Sequence, residues 1–310
     1  MRDIVVIDAP HNLARPPPTP ATVPGCNKLA GGLRDRGNGR RNGALDGGVV
    51  VPPRYDLAGW RPGDGVFNAA AVAAYTPRLA DRVERRIRAG QFPLVLGGDC
   101  SIQLGASLAL RRIGRYGLVA VDASADFRHL GNSPAGSIGA AGGEEVAIST
   151  GRGQDDLADL EGRKPYLRDE DVRFIGIRDG DEDLAEFAEL GIPSLTVGEL
   201  RRLGAADAAS AVAASLGTGA GAGAVDGFWL HLDADVLDPA VMPAVDSTDP
   251  DGLLPDELSE VVKSLLASPR CVGMNVTIYD PDRDPDGSAG DLLTDLVVDA
   301  FTAFHGRAGT

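Results

Sequence analysis

The chain has 310 residues, 43% of them hydrophobic, enough apolar material for one large α/β domain or two small ones. Its 45 acidic residues outnumber 30 basic ones, and the formal net charge of −15 argues against a nucleic acid or an anionic membrane as partner. Cys26, Cys100 and Cys271 are widely spaced with no C-x-x-C pair, the amino-terminal stretch to Asp8 is too short and acidic for a signal peptide, and no apolar run reaches the length of a membrane helix, so a cytoplasmic protein without disulfides is expected.

In chain order, Asp3 to Asp8 reads as a first strand, apolar between its two aspartates and so placed centrally. His11 to Pro24, with Pro16, Pro17, Pro18 and Pro20, reads as an irregular surface segment. Gly31 to Gly48 is rich in Gly, Arg and Asn and is expected to be a mobile loop at the mouth of a pocket, with a short second strand over Gly48–Pro52. Helical periodicity runs from Asn68 to Gly90, with Arg82, Arg85, Arg86 and Arg88 gathered before the glycine stop. Pro93–Leu96 is a buried strand that enters Gly97-Gly98-Asp99-Cys100-Ser101 and then a helix over Ile102–Arg112. Strand, glycine turn and helix is where open α/β sheets place ligands, and the missing G-x-x-x-x-G-K pattern excludes a phosphate loop.

Tyr116–Asp122 is the next strand, followed by a small, Gly-rich loop over Asn132–Glu145. Strands over Val172–Ile177 and Ser194–Val197 bracket a helix from Glu182 to Leu190. Ala205–Leu216 is an Ala-rich helix and Gly217–Gly223 a flexible connection. A strand over Phe228–Leu232, a helix over Pro255–Ser268, a last strand over Arg270–Ile278, an acidic loop over Asp280–Asp286 and a helix over Ala289–Phe304 complete the chain. Strands alternating with helices, with no repeat and no linker, predict one doubly wound α/β domain over residues 1–310 with a mainly parallel sheet of about eight strands.

Three of these strands end in acidic turns: Asp99 with Cys100, Asp122 with Asp126, and Asp233 with Asp235. Side chains two apart on a strand point the same way, so Asp233 and Asp235 face one spot. Two carboxylates there repel unless a cation sits between them or one is protonated. A D-x-D pattern alone is as readily an Asp-rich turn that ends a strand. Strand ends of a parallel sheet share one edge, however, and the carboxylates of Asp122, Asp126, Asp233 and Asp235 together with the Cys100 thiol point to a metal cluster. His129, just after the second turn, offers a general acid, against the alternative of a surface loop histidine. His231, one pleat before Asp233, is read as a buried histidine bonded to a neighbouring carbonyl, while His11 and His305 have no local context. Cys100, beside Ser101 at a helix amino terminus, is also conceivable as a nucleophile of lowered pKa, though no base accompanies it.

Gly97-Gly98-Asp99-Cys100, Asp122-Ala123-Ser124-Ala125-Asp126 and the run His231–Pro239 resemble, in order and separation, the G-G-D-H, D-A-H-x-D and S-x-D-x-D-x-x-D-P motifs of the arginase–agmatinase (ureohydrolase) family. Val241–Asp246 resembles the substrate-side loop that follows, and the resemblance covers most of the chain. It implies a three-layer α/β/α sandwich, assembly into a homo-oligomer (trimer or hexamer), and hydrolysis of a guanidinium or related C–N bond by two manganese ions with a bridging hydroxide. In the family the first metal is held by the G-G-D-H histidine and aspartates matching Asp122, Asp126 and Asp233. The second is held by the D-A-H histidine and aspartates matching Asp122, Asp233 and Asp235.

This chain departs from that pattern. Cys100 replaces the first histidine, and its softer thiolate favours zinc or iron over manganese. Ser124 stands at the second, where a neutral hydroxyl is a poor ligand. No histidine lies between Ala135 and Gly139, and Ile278 stands where the family places a guanidinium-gripping glutamate. The resemblance therefore implies Cys100, Asp122, Asp126, Asp233 and Asp235 as metal residues and one divalent ion (Mn, Zn or Fe) or none, and Asp126 and His129 are the catalytic candidates. The expected activity is hydrolysis of a non-peptide C–N bond in a small amidine, amide or modified guanidino compound, not that of an ordinary arginase or agmatinase. Two alternatives stay open: a non-catalytic pseudoenzyme that binds a small molecule or partners an active homologue, and a metal-free biosynthetic enzyme reusing the pocket. The hydrolase is favoured over the pseudoenzyme because crowded carboxylates are costly to leave uncompensated.

Overall fold

The structure, a computed structural model, describes residues 2–19, 22–57, 59–216 and 224–306; the expected connection over Gly217–Gly223, like Pro20, lies outside the described residues. Strands β1 (Ile4–Asp8), β2 (Leu45–Val49), β3 (Phe92–Leu96), β4 (Gly117–Val121), β5 (Val172–Ile177), β6 (Ser194–Thr196), β7 (Phe228–Asp233) and β8 (Cys271–Thr277) form one sheet in the order β2-β1-β3-β8-β7-β4-β5-β6. Every pairing in it is parallel. The helices are α1 (Leu29–Asp35), α2 (Asn38–Arg41), α3 (Ala69–Arg88), α4 (Gln103–Ile113), α5 (Glu145–Ser149), α6 (Asp155–Ala158), α7 (Leu184–Leu190), α8 (Val197–Leu203), α9 (Ala205–Ser215), α10 (Pro255–Ala267) and α11 (Ser288–Gly306).

The central strands are apolar on both sides because both faces are covered. Leu230, Leu232, Met274 and Val276 pack with α1, α8, α9, α10 and α11 on one face. Leu118, Ala120, Phe174 and Trp229 pack with α3, α4, α5 and α7 on the other. The result is the three-layer α/β/α sandwich that the motif resemblance implies. Among the described residues no helix is long and apolar enough to cross a membrane.

Several local expectations are corrected. The stretch from Gly31 to Gly48 is not a loop at a pocket mouth but most of α1, then α2 and the edge strand β2. Its arginines make distant ion pairs, Arg34 with Asp8 at 2.7 Å, Arg36 with Asp291 at 2.7 Å and Arg41 with Asp295 at 2.7 Å, which tie it to β1 and α11. The second strand is Leu45–Val49 rather than Gly48–Pro52, and Gly48, at φ 74°, lies inside it where the register with β1 shifts. Strand β1 is interior but only one place from the edge. Val197 begins α8 rather than ending a strand, since Thr196 accepts the Glu199 N–H in a capping box. His11 to Ala14 is buried rather than superficial.

Between β7 and β8 the register sets Trp229 opposite Gly273, His231 opposite Asn275 and Asp233 opposite Thr277. Alternate residues on a strand share a face, so these pairs stack along one side of the sheet up to its carboxyl edge. Gly273 is required there: a Cβ would stand 2.1 Å from the Trp229 ring. Gly273→Ala is therefore expected to lower unfolding free energy by about 1–3 kcal/mol, read as a fall in the urea midpoint; an unchanged midpoint would contradict this packing.

Candidate metal centre

The four central strands β3, β8, β7 and β4 deliver their carboxyl ends to one edge, where ligands collect in open α/β sheets. Three of the aspartates there first do a local job. Asp99 Oδ1 accepts the Ser101 N–H at 3.1 Å, Asp122 Oδ1 the Ser124 N–H at 2.8 Å, and Asp233 Oδ1 the Asp235 N–H at 2.8 Å. Such turns account for one oxygen each and need no cation. At Asp122 and Asp233 the second oxygens face inward. Asp233 Oδ2 accepts from Cys100 Sγ at 2.7 Å and from Thr277 Oγ1 at 3.1 Å. Asp122 Oδ2 lies 3.5 Å from His231 Nε2.

Three overlapping donor sets result, each with its atoms within 4.8 Å of one another: Cys100, His231 and Asp233; Asp122, Glu145 and His231; and Asp122, Asp233 and Asp235. The structure thus brings together Cys100, Asp122, Asp233 and Asp235, and Asp126 joins them by abutting Glu145. Glu145 and His231 are the members that sequence reasoning left out. His231 bonds not to a carbonyl but to the Asn275 amide, 2.7 Å away.

Burial dominates the electrostatics. It pushes Asp122, Asp235 and Glu145 well above the carboxylate range, helped by the charges of Asp235, Asp233 and Asp126 respectively. Asp126 and Asp233 are pushed up to about 7 by burial and then by Asp122. Burial and Asp233 likewise raise the Cys100 thiol, which opposes the idea of a nucleophile of lowered pKa. Burial lowers His231 to about 4, so the ring is neutral. The Glu145 carboxyl is fully buried, and its oxygens meet no donor unless a proton is shared with the adjoining Asp126 carboxyl. A buried carboxylate without a donor must take up a proton or a cation. Oxygen donors with one sulfur, converging in the interior, fit one divalent cation.

A cavity of about 210 Å³ opens onto this cluster, with Cys100, Ser124, Asp126, Asp235 and Ile278 in its wall. Arg15 also lines it, 2.9 Å from Asp246, while Arg128, Asp181, Glu182 and Asp183 form an outer rim. Ile278 is buried at φ 70°, a strained conformation for a β-branched residue. Its N–H is tied to Gly98 O at 2.9 Å, so the wall at this point is apolar. No residue of the Gly31–Gly48 stretch lines the cavity.

His129 is held elsewhere. Its Nε2 is 3.0 Å from Glu186 Oε1, its Nδ1 accepts the Gly131 N–H at 3.0 Å, and it is not in the cavity wall. His11, without context in the sequence, bonds to Asp99 Oδ2 at 3.1 Å, and Ala14 N–H donates to the same oxygen at 3.1 Å. Burial would raise Asp99, but His11, Ser101 and Ala14 together hold it below its ordinary value. Arg178 donates to the carbonyls of Asp235, Val236 and Asp249 at 3.0–3.1 Å and so clamps the loop that carries Asp235. Nothing local in the sequence marks either residue.

Comparison with known proteins places this geometry. A model of the arginase family matches residues 39–302. The arginase of Bacillus subtilis (strain 168) is 36% identical over 180 residues, 57% of this chain and 58% of that one, so the alignment spans little more than half of that curated relative. The arginase of Staphylococcus aureus (strain MRSA252) is 28% identical over 240 residues, 77% of this chain and 76% of that one. Among solved structures, the native arginase of Bacillus caldovelox superposes with a TM-score of 0.85 at 27% identity, covering 97% of this chain and 98% of that one.

The raised carboxyl groups make stability depend on pH with a definite sign. Asp126 and Asp233 sit at about 7 in the fold, against about 3.9 unfolded. The folded state then binds protons more tightly, and the stability they contribute is present in acid and lost as pH rises through about 7. In chelator, the urea midpoint is expected to fall between about pH 4 and 7, and divalent cation is expected to flatten or reverse that fall. A midpoint that rises with pH in chelator would contradict it.

Proposed function

Since the chain belongs to the arginase family, we propose that it hydrolyses a non-peptide C–N bond in a small amidine, amide or modified guanidino compound, with one divalent cation held by Cys100, Asp122, Asp126 and Asp233, and that unmodified arginine and agmatine are not its substrates. The observation that carries this reading is the buried convergence of Cys100 Sγ on Asp233 Oδ2 beneath a cavity whose wall at Ile278 is apolar. Bound there, a cation would supply Lewis acidity and make water more acidic near neutral pH. The Cys100 sulfur inclines the set towards zinc or iron.

The chain's own residues account for the rest. Asp126 faces the cavity and is the group placed to take a proton from water and return it to the departing nitrogen. Glu145, packed against it in the interior, makes a second proton on that pair easy to keep. Ile278 offers a guanidinium neither charge nor hydrogen bond, so the group at this end of the cavity is less cationic than free guanidinium. Asp181, Glu182 and Asp183 at the rim disfavour an anionic remainder. Asp235, at 3.4 Å from the Ala123 N–H, braces the two turns against each other.

A panel of formimino, amidino and amide compounds, assayed for released ammonia, formamide or urea, tests this reading. At least one compound other than arginine or agmatine is expected to turn over, with the rate lost in chelator and lowered more than about 100-fold by Asp233→Asn. Turnover of arginine as fast as any panel member would overturn the narrowed substrate class. Chelator-resistant turnover would overturn the role of the cation. No turnover at all, with cation bound, would instead mark a non-catalytic member of the family.

A further inference from the structure

We propose that His231 is no metal ligand but a neutral ring, locked in its Nε2–H form by Trp229 acting through Asn275, and that it orients the Asp122 carboxylate. An indole N–H can only donate. Trp229 Nε1 stands 2.5 Å from Asn275 Oδ1, so the amide must present its oxygen to the indole; the reversed amide would set N–H against N–H. Its nitrogen is then the atom 2.7 Å from His231 Nδ1, where it must donate. Nδ1 therefore accepts, and a neutral ring keeps its proton on Nε2.

That nitrogen stands 3.5 Å from Asp122 Oδ2 and makes no hydrogen bond, so the N–H acts on the carboxylate through its dipole alone. All three members of the chain, Trp229, His231 and Asn275, are at most 1% exposed, so bulk water does not exchange with them. By position alone Nε2 would count among the ligands, since it lies in two of the three donor sets. Ligation needs a lone pair on Nε2, and the locked form has none to give. Gly273 sets the lock, because any side chain there would displace the indole. The residue two places before Asp233 thus acts on the cluster through Asp122, as a positioning residue. What Asp122 then does rests on the proposed cation; the form of the ring does not.

Nuclear magnetic resonance of the full chain with isotope-labelled histidine rings tests this. Only four histidines are present, and His231 is identified by its loss in His231→Gln. Nε2 is expected to be protonated and Nδ1 bare, both in chelator and after loading with magnetically active cadmium, with no cadmium coupling at His231. Asn275→Asp turns a carboxylate to Nδ1 and is expected to shift the proton there. Trp229→Phe leaves the amide free to turn and is expected to give a mixture of the two forms. A protonated Nδ1 in the unmodified chain, a cadmium coupling at Nε2, or a ring unmoved by either variant would overturn the proposal. Failure to take up any cation would refute the proposed function while leaving the reading in chelator decisive for His231.

Discussion

Five carboxyl groups and a thiol share the carboxyl edge of β3, β4 and β7, and their mutual repulsion in a dry interior is the constraint around which the site is built. Asp122, Asp126, Glu145, Asp233 and Asp235 are all raised by burial, and each is raised further by another of the set. Leaving one such charge unpaired costs several kcal/mol, so the cluster exists only with protons or a cation in it. Protons satisfy it up to about neutrality, where Asp126 and Asp233 begin to lose theirs. A divalent cation would satisfy it at higher pH as well, which is what supports the proposed metal chemistry despite Cys100 and Ser124.

The surrounding framework holds this cluster rather than relieving it. Each strand-end aspartate uses one oxygen to cap the turn that follows, which fixes where the other oxygen points. Asp99, one residue before Cys100, is held by His11 and Ala14, and the chain packs so tightly there that a Cβ on Gly98 would meet His11 O at 1.6 Å. Arg178 ties the backbone after Asp233 to the carbonyl of Asp249. Beneath, Trp229, Asn275 and His231 form an ordered chain of donors and acceptors that sets the imidazole 3.5 Å from Asp122. Rigid support of this kind keeps like charges close, where a looser edge would let them swing out to water.

Most of the sheet was legible because buried parallel strands write themselves as short apolar runs, as β3, β4, β5, β7 and β8 do, with Gly or Asp ending β3, β4 and β7. Asp122, Asp233 and Asp235 with Cys100 were legible for the same reason: a strand end fixes its side chains' position. What could not be read was anything settled by distant partners. The Gly- and Arg-rich stretch over Gly31–Gly48 has the composition of a loop, and only ion pairs to Asp8, Asp291 and Asp295 make it helix and strand. Glu145 follows a Gly-rich turn and carries no local sign that α5 will bury it against Asp126. His231 was placed on the right face, but its partner Asn275 lies 44 residues on, across β8. His129 is near Asp126 in sequence, yet Glu186 holds it outside the cavity wall.

The metal content of the purified chain tests the central claim most directly. Plasma mass spectrometry of protein purified without added metal, and again after loading with manganese, zinc or iron, is predicted to give about one equivalent per chain that disappears in Asp233→Asn. No retained metal under any loading, or metal that survives Asp233→Asn unchanged, would contradict it, and the carboxyl cluster would then be held by protons alone.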